Sequence, residues 1–417
     1  MDIPRPHYLE QLIERKENGS IKVITGIRRC GKSYLLFNLF VEHLRSCGVA
    51  DDHIIGIALD DDESEKLLDR HVLGSHVRSR IVDDKMHYVL LDEIQEVEGF
   101  ERTLNGLARI PNLDIYVTGS NSRFLSSDVI TQFRGRADEV RVRPLSFAEY
   151  LPAHGGSKQE AWKDYIAFGG LPLILTRRTA AAKANYLANL FKEVYLIDVC
   201  ERNNLRNDAA LEAVVRVLAS SVGSLTNPAR LANTFKSSGQ RSVDAKTVKA
   251  YIDHLQEAFL IEHANRYDIK GRRYISTPLK YYFCDIGVRN AALGFRQQEE
   301  THLMENVLFN ELLMRGYSVD VGVVEHIVKN SHGDSVRTHL EIDFVCNQAD
   351  RRFYVQSAFA LPDSSKTQQE MRPLAKVDDS FKKLVVVKDD IRPWRTDQGI
   401  LVMGLWDFLL DENSLDY

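Results

Sequence analysis

The sequence predicts an α/β protein: a parallel sheet in the N-terminal part, then an α-helical and winged-helix region, then a second α/β region at the C-terminus. Three observations predict it. Short apolar runs ending in polar or turn-forming residues, at 21–25, 88–91 and 114–121, alternate with helical stretches, as strands of a parallel sheet do. Between Ala209 and Leu255 apolar residues recur at helical spacing in three successive segments, and period-two alternation follows. The last third reads as a helix, three strands, a helix and further strands. At 417 residues the chain exceeds one ordinary core, so two or three domains are expected.

Composition excludes several classes. With 44% apolar and 27% charged residues the chain reads as soluble and globular, and no window approaches the roughly 18 apolar residues of a membrane span. The N-terminus lacks the layout of a secretory signal, so a cytoplasmic location is expected. Five scattered cysteines without paired spacing indicate reduced thiols rather than disulfides or zinc. A net charge of −5 gives no global attraction to nucleic acid, so any such contact needs a local basic face.

The first element, IKVIT at 21–25, runs directly into GIRRCGKS and then the helical stretch YLLFNLFVEHL. Strand, glycine-containing loop and helix in this order form a phosphate cradle, with backbone N–H groups and the helix N-terminus supplying positive charge. The predicted nucleotide-binding residues are Gly26, Ile27, Arg28, Arg29, Cys30, Gly31, Lys32, Ser33 and Tyr34. Lys32 is expected to reach the β- and γ-phosphates of ATP, and the Ser33 hydroxyl to meet Mg²⁺. Arg28 and Arg29 fit loop-surface charge, nucleotide contact or contact with a neighbouring subunit.

HYVLLDEIQ places Asp92 and Glu93 at the C-terminal end of a buried strand, where open parallel sheets bind ligand. Asp92 is the predicted metal ligand beside Ser33, and Glu93 the predicted base acting on water. A third strand ends at Ser120 and Asn121, and Asn121 is the candidate for sensing the γ-phosphate or orienting water. Arginines crowd the run from Arg134 to Arg143, where Arg136 or Arg134 is the candidate finger stabilising a phosphoryl group in a neighbouring subunit.

Together, ITGIRRCGKS, LLDEIQEVEGFE, TGSNSRFLSS, FRGR and RPLSFAEYL resemble a family of prokaryotic AAA-like P-loop ATPases, and the likeness extends through FGGLP, TVKAYIDHLQEAFLI, YYFCDIGVRNA, ENVLFNELL and EIDFV. It covers nearly the whole chain. The resemblance implies an additional-strand ATPase core, ATP and Mg²⁺ as ligands, Glu93 acting on water, and assembly into homo-oligomers.

The expected organisation is an ATPase domain at 1–150, a helical lid or linker at 151–204 containing FGGLP, a winged helix at 205–280 and a nuclease-like α/β domain at 281–417. In the middle, Asn227 is expected to cap a helix beginning at Pro228, and Ser242 to cap one with the stripe Val248, Tyr251, Ile252 and Leu255. Lys246 and Lys249 lie off that stripe, and with Arg241 and a hairpin bearing Lys270, Arg272 and Arg273 they form a candidate face for double-stranded DNA. The C-terminal order resembles the restriction-endonuclease-like fold, with Glu305 and Asp343 in the places of its metal-binding acids. Gln356 and Ala358 stand where a carboxylate and a lysine belong, so this domain is expected to be catalytically inactive, with Lys366 and Glu370 as possible compensating groups.

These features point to Mg²⁺-dependent ATP binding and hydrolysis coupled to remodelling or switching of a nucleic-acid or protein partner. The alternatives are a nucleotide-dependent binding module with negligible turnover and an ATP-dependent DNA nuclease.

Overall fold

In the computed structural model, residues 2–120, 133, 135–205, 208–237, 243–329 and 334–417 are described. They form two compact units, one of Met1–Pro144, Leu171–Thr176 and Gln256–Phe259, the other of Leu145–Gly170, Arg177–Leu255 and Leu260–Tyr417.

The first unit is built on a five-stranded parallel sheet of β1 (Ile21–Thr25), β2 (Ile54–Ala58), β3 (His87–Asp92), β4 (Leu113–Gly119) and β5 (Ala137–Arg141), in the order β2-β3-β4-β1-β5. Thus β4 lies between the strand entering the phosphate loop and the strand carrying the acidic pair, which is the additional strand that the resemblance implied. Every residue of β1 and β3 is buried, which explains why both read as continuous apolar runs. Val23, Val89, Leu91 and Val117 pack with Leu73, Leu104 and Leu107 from the flanking helices into one core. At the N-terminal end of the sheet, buried Lys22 pairs with Asp114, which also accepts from the Tyr116 hydroxyl at 2.9 Å and the Glu17 N–H at 3.0 Å. Both oxygens of the paired carboxylate therefore accept hydrogen bonds, as burial requires.

The second unit holds an eight-stranded mixed sheet with the order β12-β13-β11-β10-β9-β8-β6-β7. Its strands are β6 (Ile261–Asp268), β7 (Arg273–Phe283), β8 (Ser318–Lys329), β9 (Ser335–Gln348), β10 (Arg351–Ala358), β11 (Lys382–Val387), β12 (Trp394–Arg395) and β13 (Leu401–Gly404). Helices Asp208–Ser220, Pro228–Ser237 and Ala245–Glu257 precede the β6–β7 hairpin, and Asn227 caps the second by accepting Arg230 N–H at 2.8 Å. The third begins at Ala245 under an Asp244 cap, which accepts Thr247 N–H at 2.7 Å. The expected cap, Ser242, lies outside the described residues.

β6 pairs in parallel with β8 through Arg266–Asp268, so the hairpin belongs to the same sheet as the C-terminal strands. The expected boundary between 280 and 281 falls inside β7, which runs from Arg273 to Phe283. FGGLP is not a loose linker over its first residues. Gly170 N–H donates to Asp285 Oδ2 at 2.7 Å, and Gly169 (φ +75°) sits so close to that carboxylate that a Cβ would collide with it. Among the described residues no helix is long and apolar enough to cross a membrane.

Candidate nucleotide site

The phosphate loop leaves β1 at Thr25 and turns on Gly26 (φ +145°), Arg29 (φ +69°) and Gly31 (φ +102°) before the helix that starts at Lys32. A side chain at Gly26 would run into the Val142 carbonyl, which follows β5. Lys32 is buried, and its Nζ donates to the carbonyls of Gly26 at 3.0 Å and Ile27 at 3.4 Å, so its charge is held inside the cradle it would share with phosphate. Ile27 and Cys30 are buried beneath the loop, and the Cys30 thiol points at the Val142 carbonyl, 3.5 Å away. Tyr34 is half-buried and donates to Asp2 Oδ1 at 2.9 Å.

Arg5 braces the loop from outside the motif. Its guanidinium is buried and donates to the Cys30 carbonyl at 3.1 Å and the Arg143 carbonyl at 2.7 Å. The Tyr8 hydroxyl in turn accepts Arg143 N–H at 3.1 Å. These contacts tie the first helix, Pro6–Glu14, to the loop and to the segment after β5.

Asp92 ends β3 and its carboxylate is hydrogen-bonded to both the Ser33 hydroxyl and the Thr118 hydroxyl. Burial raises its pKa above the usual carboxylate range; the two hydroxyls oppose that shift, and the charges of Glu93 and Asp60 add to it. Glu93 is in the left-handed region (φ +49°), its N–H donates to Thr118 Oγ1 at 2.9 Å, and its carboxylate accepts from Gln95 Nε2. The strain of a non-glycine residue at positive φ turns Glu93 away from the line of the strand.

Register explains this meeting. Leu91 pairs with Val117, so Thr118 comes beside Asp92, and Thr25 pairs with Gly119, bringing the loop to the same edge. Thr118 was not among the residues singled out from the sequence. Its signal there was a hydroxyl near the C-terminal end of the strand, just after apolar Val117 and before Gly119. Asn121 and Arg134 lie outside the described residues. Arg136 is exposed and immediately precedes β5, whose first residue, Ala137, pairs with Ile21. It therefore stands at the opposite end of β1 from the phosphate loop, roughly 16 Å away at about 3.3 Å per strand residue.

A magnesium–nucleotide complex fits this donor set. Ser33 and Asp92 already share a hydrogen bond, the oxygen ligands are of the type hard cations take, and the Lys32 ammonium is held at the loop carbonyls beside them. The group of His53, Asp83 and His87 elsewhere in this unit does not suit a metal. His87 Nε2 accepts Val82 N–H at 3.1 Å and Nδ1 lies 2.8 Å from the Lys85 carbonyl, which occupies both ring nitrogens.

Comparison with known proteins agrees with this geometry. A family model described as "AAA domain" matches residues 18–151, and one described as "Domain of unknown function (DUF8612)" matches residues 159–299. An uncharacterized protein of Haemophilus influenzae is 34% identical over 414 residues, covering 98% of both chains. The chain belongs to this family of AAA-like P-loop ATPases. A second uncharacterized protein, from Methanocaldococcus jannaschii, is 25% identical over 84% of this chain and 77% of its own. Among solved structures, the Aeropyrum pernix ORC1 protein in complex with DNA is 14% identical, covering 70% of this chain and 92% of that one, with a TM-score of 0.30. AMPPCP-bound DnaA from Aquifex aeolicus is 14% identical, covering 60% and 86%, with a TM-score of 0.30. Nucleotide binding and hydrolysis are the activities that this AAA membership suggests.

Proposed function

We propose that the protein is a Mg²⁺-dependent ATPase whose turnover remodels or switches a nucleic-acid or protein partner, acting as a homo-oligomer in the cytoplasm. The observation that carries the ATPase reading is the chain of hydrogen bonds from Ser33 through Asp92 to Thr118 and on to the Glu93 backbone, which joins the phosphate loop to the acidic pair. Mg²⁺ held at Ser33 and Asp92 would offset the charge of the phosphates. Lys32 would leave the loop carbonyls for the β- and γ-phosphate oxygens, an exchange of neutral acceptors for charged ones. Glu93 would accept a hydrogen bond from the attacking water and orient it.

Two further features support the wider reading. Lys246, Lys249, Lys270 and Arg272 are exposed, as phosphate contacts would need, although Lys249 also pairs with Asp253 at 2.6 Å. Arg136 is at the far end of β1 from the phosphate loop, so if it is a finger it would act on the nucleotide of a neighbouring copy. The proposal assigns no cleavage chemistry to the C-terminal region, because Gln356 and Ala358 on β10 offer neither a carboxylate nor an ammonium.

Steady-state phosphate release by the wild type and Glu93→Gln, with Mg²⁺ and with or without double-stranded DNA, tests this. Turnover in the wild type, its loss in the variant and a rise with DNA are the expected results. Tight ATP binding with background phosphate release under all these conditions would instead make the chain a nucleotide-dependent binding module.

A further inference from the structure

Lys280 on β7 is 3% exposed, and it lies among three carboxylates of the second unit. Its Nζ is 2.9 Å from Glu305 Oε1 on helix Glu300–Met314, 2.8 Å from Glu341 Oε1 and 3.5 Å from Asp343 Oδ1, both of the latter on β9. Glu305 and Asp343 are the two acids that the sequence placed in the metal-binding positions of a nuclease-like fold. β10 offers these acids no lysine, and the one beside them arrives from β7, another strand of the same sheet.

The surroundings are tightly built. The Tyr282 hydroxyl donates to Glu305 Oε1 at 2.7 Å, and Ser357 N–H donates to Asp343 Oδ2 at 2.9 Å. A Cβ at Gly223 would stand 3.0 Å from Glu305 Oε1. Burial opposes the charge on Lys280, but Tyr282 and the carboxylates of Glu305, Asp343 and Glu341 outweigh it and hold the ammonium protonated. Asp343 is pushed up to about 7, first by burial and then by the Glu305 carboxylate, against the opposing pull of Lys280 and the Ser357 N–H.

The buried carboxylates of Glu305 and Asp343 need a counter-cation, which half-exposed Glu341 also meets, and a divalent ion draws its oxygens close around itself. Among the described residues these three acids do not converge in that way; the set of side chains close enough to share an ion is the histidine group in the first unit. They are spread instead around the three N–H donors of an ammonium. We propose that Lys280 is a resident cation, standing where this carboxylate cluster would otherwise take a divalent metal ion. The second unit then binds no Mg²⁺ or Mn²⁺ of its own, and removal of the lysine exposes a latent metal site. Nucleotide turnover in the first unit is not required for this.

Mn²⁺ binding to the full, nucleotide-free chain, followed by the loss of free-ion paramagnetic resonance, tests the assignment. The wild type and Asp343→Asn should bind Mn²⁺ alike. Lys280→Ala should gain one equivalent, bound at least roughly tenfold more tightly than any site of the wild type, and Lys280→Ala with Asp343→Asn should lose it again. If Lys280→Ala fails to fold, Lys280→Gln keeps a hydrogen-bonding group of similar reach without the charge and carries the same expectation. Stoichiometric Mn²⁺ in the wild type that Asp343→Asn abolishes would overturn the proposal, since lysine and metal would then coexist. A soluble, folded Lys280 variant that gains no ion would overturn it equally, leaving the cluster an ion-pair network. Failure of the ATPase reading would appear in phosphate release and leave these titrations unmoved.

Discussion

The Thr118 hydroxyl donates to the Asp92 carboxylate, and the same oxygen accepts the Glu93 N–H at 2.9 Å. One side chain from β4 therefore sets both acids of β3. Thr118→Val keeps the branched shape and removes the hydroxyl, leaving buried Asp92 without one donor and the part-buried Glu93 N–H without its acceptor. A lost bond of this kind costs about 1–3 kcal/mol, so turnover should fall about tenfold or more while ATP affinity changes less than about threefold. Because the hydroxyl opposes the burial-driven rise in the Asp92 pKa, its removal should also move the acid limb of the pH–rate profile to higher pH. Unchanged kcat and an unmoved profile would make Thr118 a mere packing residue.

Lys32→Ala removes the charge that now rests on the Gly26 and Ile27 carbonyls. ATP affinity measured by calorimetry should fall about a hundredfold, equivalent to about 2.7 kcal/mol. Adenosine, which has no phosphates, should bind both proteins alike; parallel losses for the two ligands would show general damage to the loop.

The two loop glycines should respond unequally to alanine. At Gly26 (φ +145°) the new methyl would strike the Val142 carbonyl as well as strain the backbone, whereas at Gly31 (φ +102°) the nearest atom is Arg5 Nη1 at 3.7 Å. Gly31→Ala should cost about 1–3 kcal/mol from backbone strain alone, and Gly26→Ala distinctly more. Urea midpoints of the two variants give the comparison, and equal losses would mean that the loop shifts away from Val142.

Much of the candidate site could be read from the sequence because its parts are local. Gly26 to Ser33 form one loop, and Asp92 and Glu93 end one apolar run, so spacing alone indicated both. What joins them is not local. Thr118 reaches Asp92 through the pairing of Leu91 with Val117, and Arg5 reaches the Cys30 carbonyl from 25 residues upstream. The same reason hid Lys280, which meets Asp343 across a sheet whose strand order is not the chain order. The β6–β7 hairpin looked like a self-contained wing because alternation shows a strand but not its neighbour; its parallel pairing with β8 depends on residues over 50 positions away.

His53 supplies a pH-dependent test of the first unit's packing. Its ring nitrogens lie 3.0 Å from Asp83 Oδ1 and 2.8 Å from Asp52 Oδ1, and its pKa is raised, first by the Asp83 hydrogen bond and then by that to Asp52. A histidine held protonated in the fold adds stability that is complete below its unfolded pKa of about 6.5 and is lost as pH rises through the higher folded value. The wild type should therefore lose thermal stability relative to His53→Gln as pH is raised from about 6 toward 8, since glutamine has no proton to release. The two proteins share every other residue, so the difference in melting temperature reports on position 53. It should shrink in high salt, because Asp52 and Asp83 are both exposed and their attraction is screened. Melting temperatures that stay parallel across the range would show that the imidazole is not charged between these two aspartates.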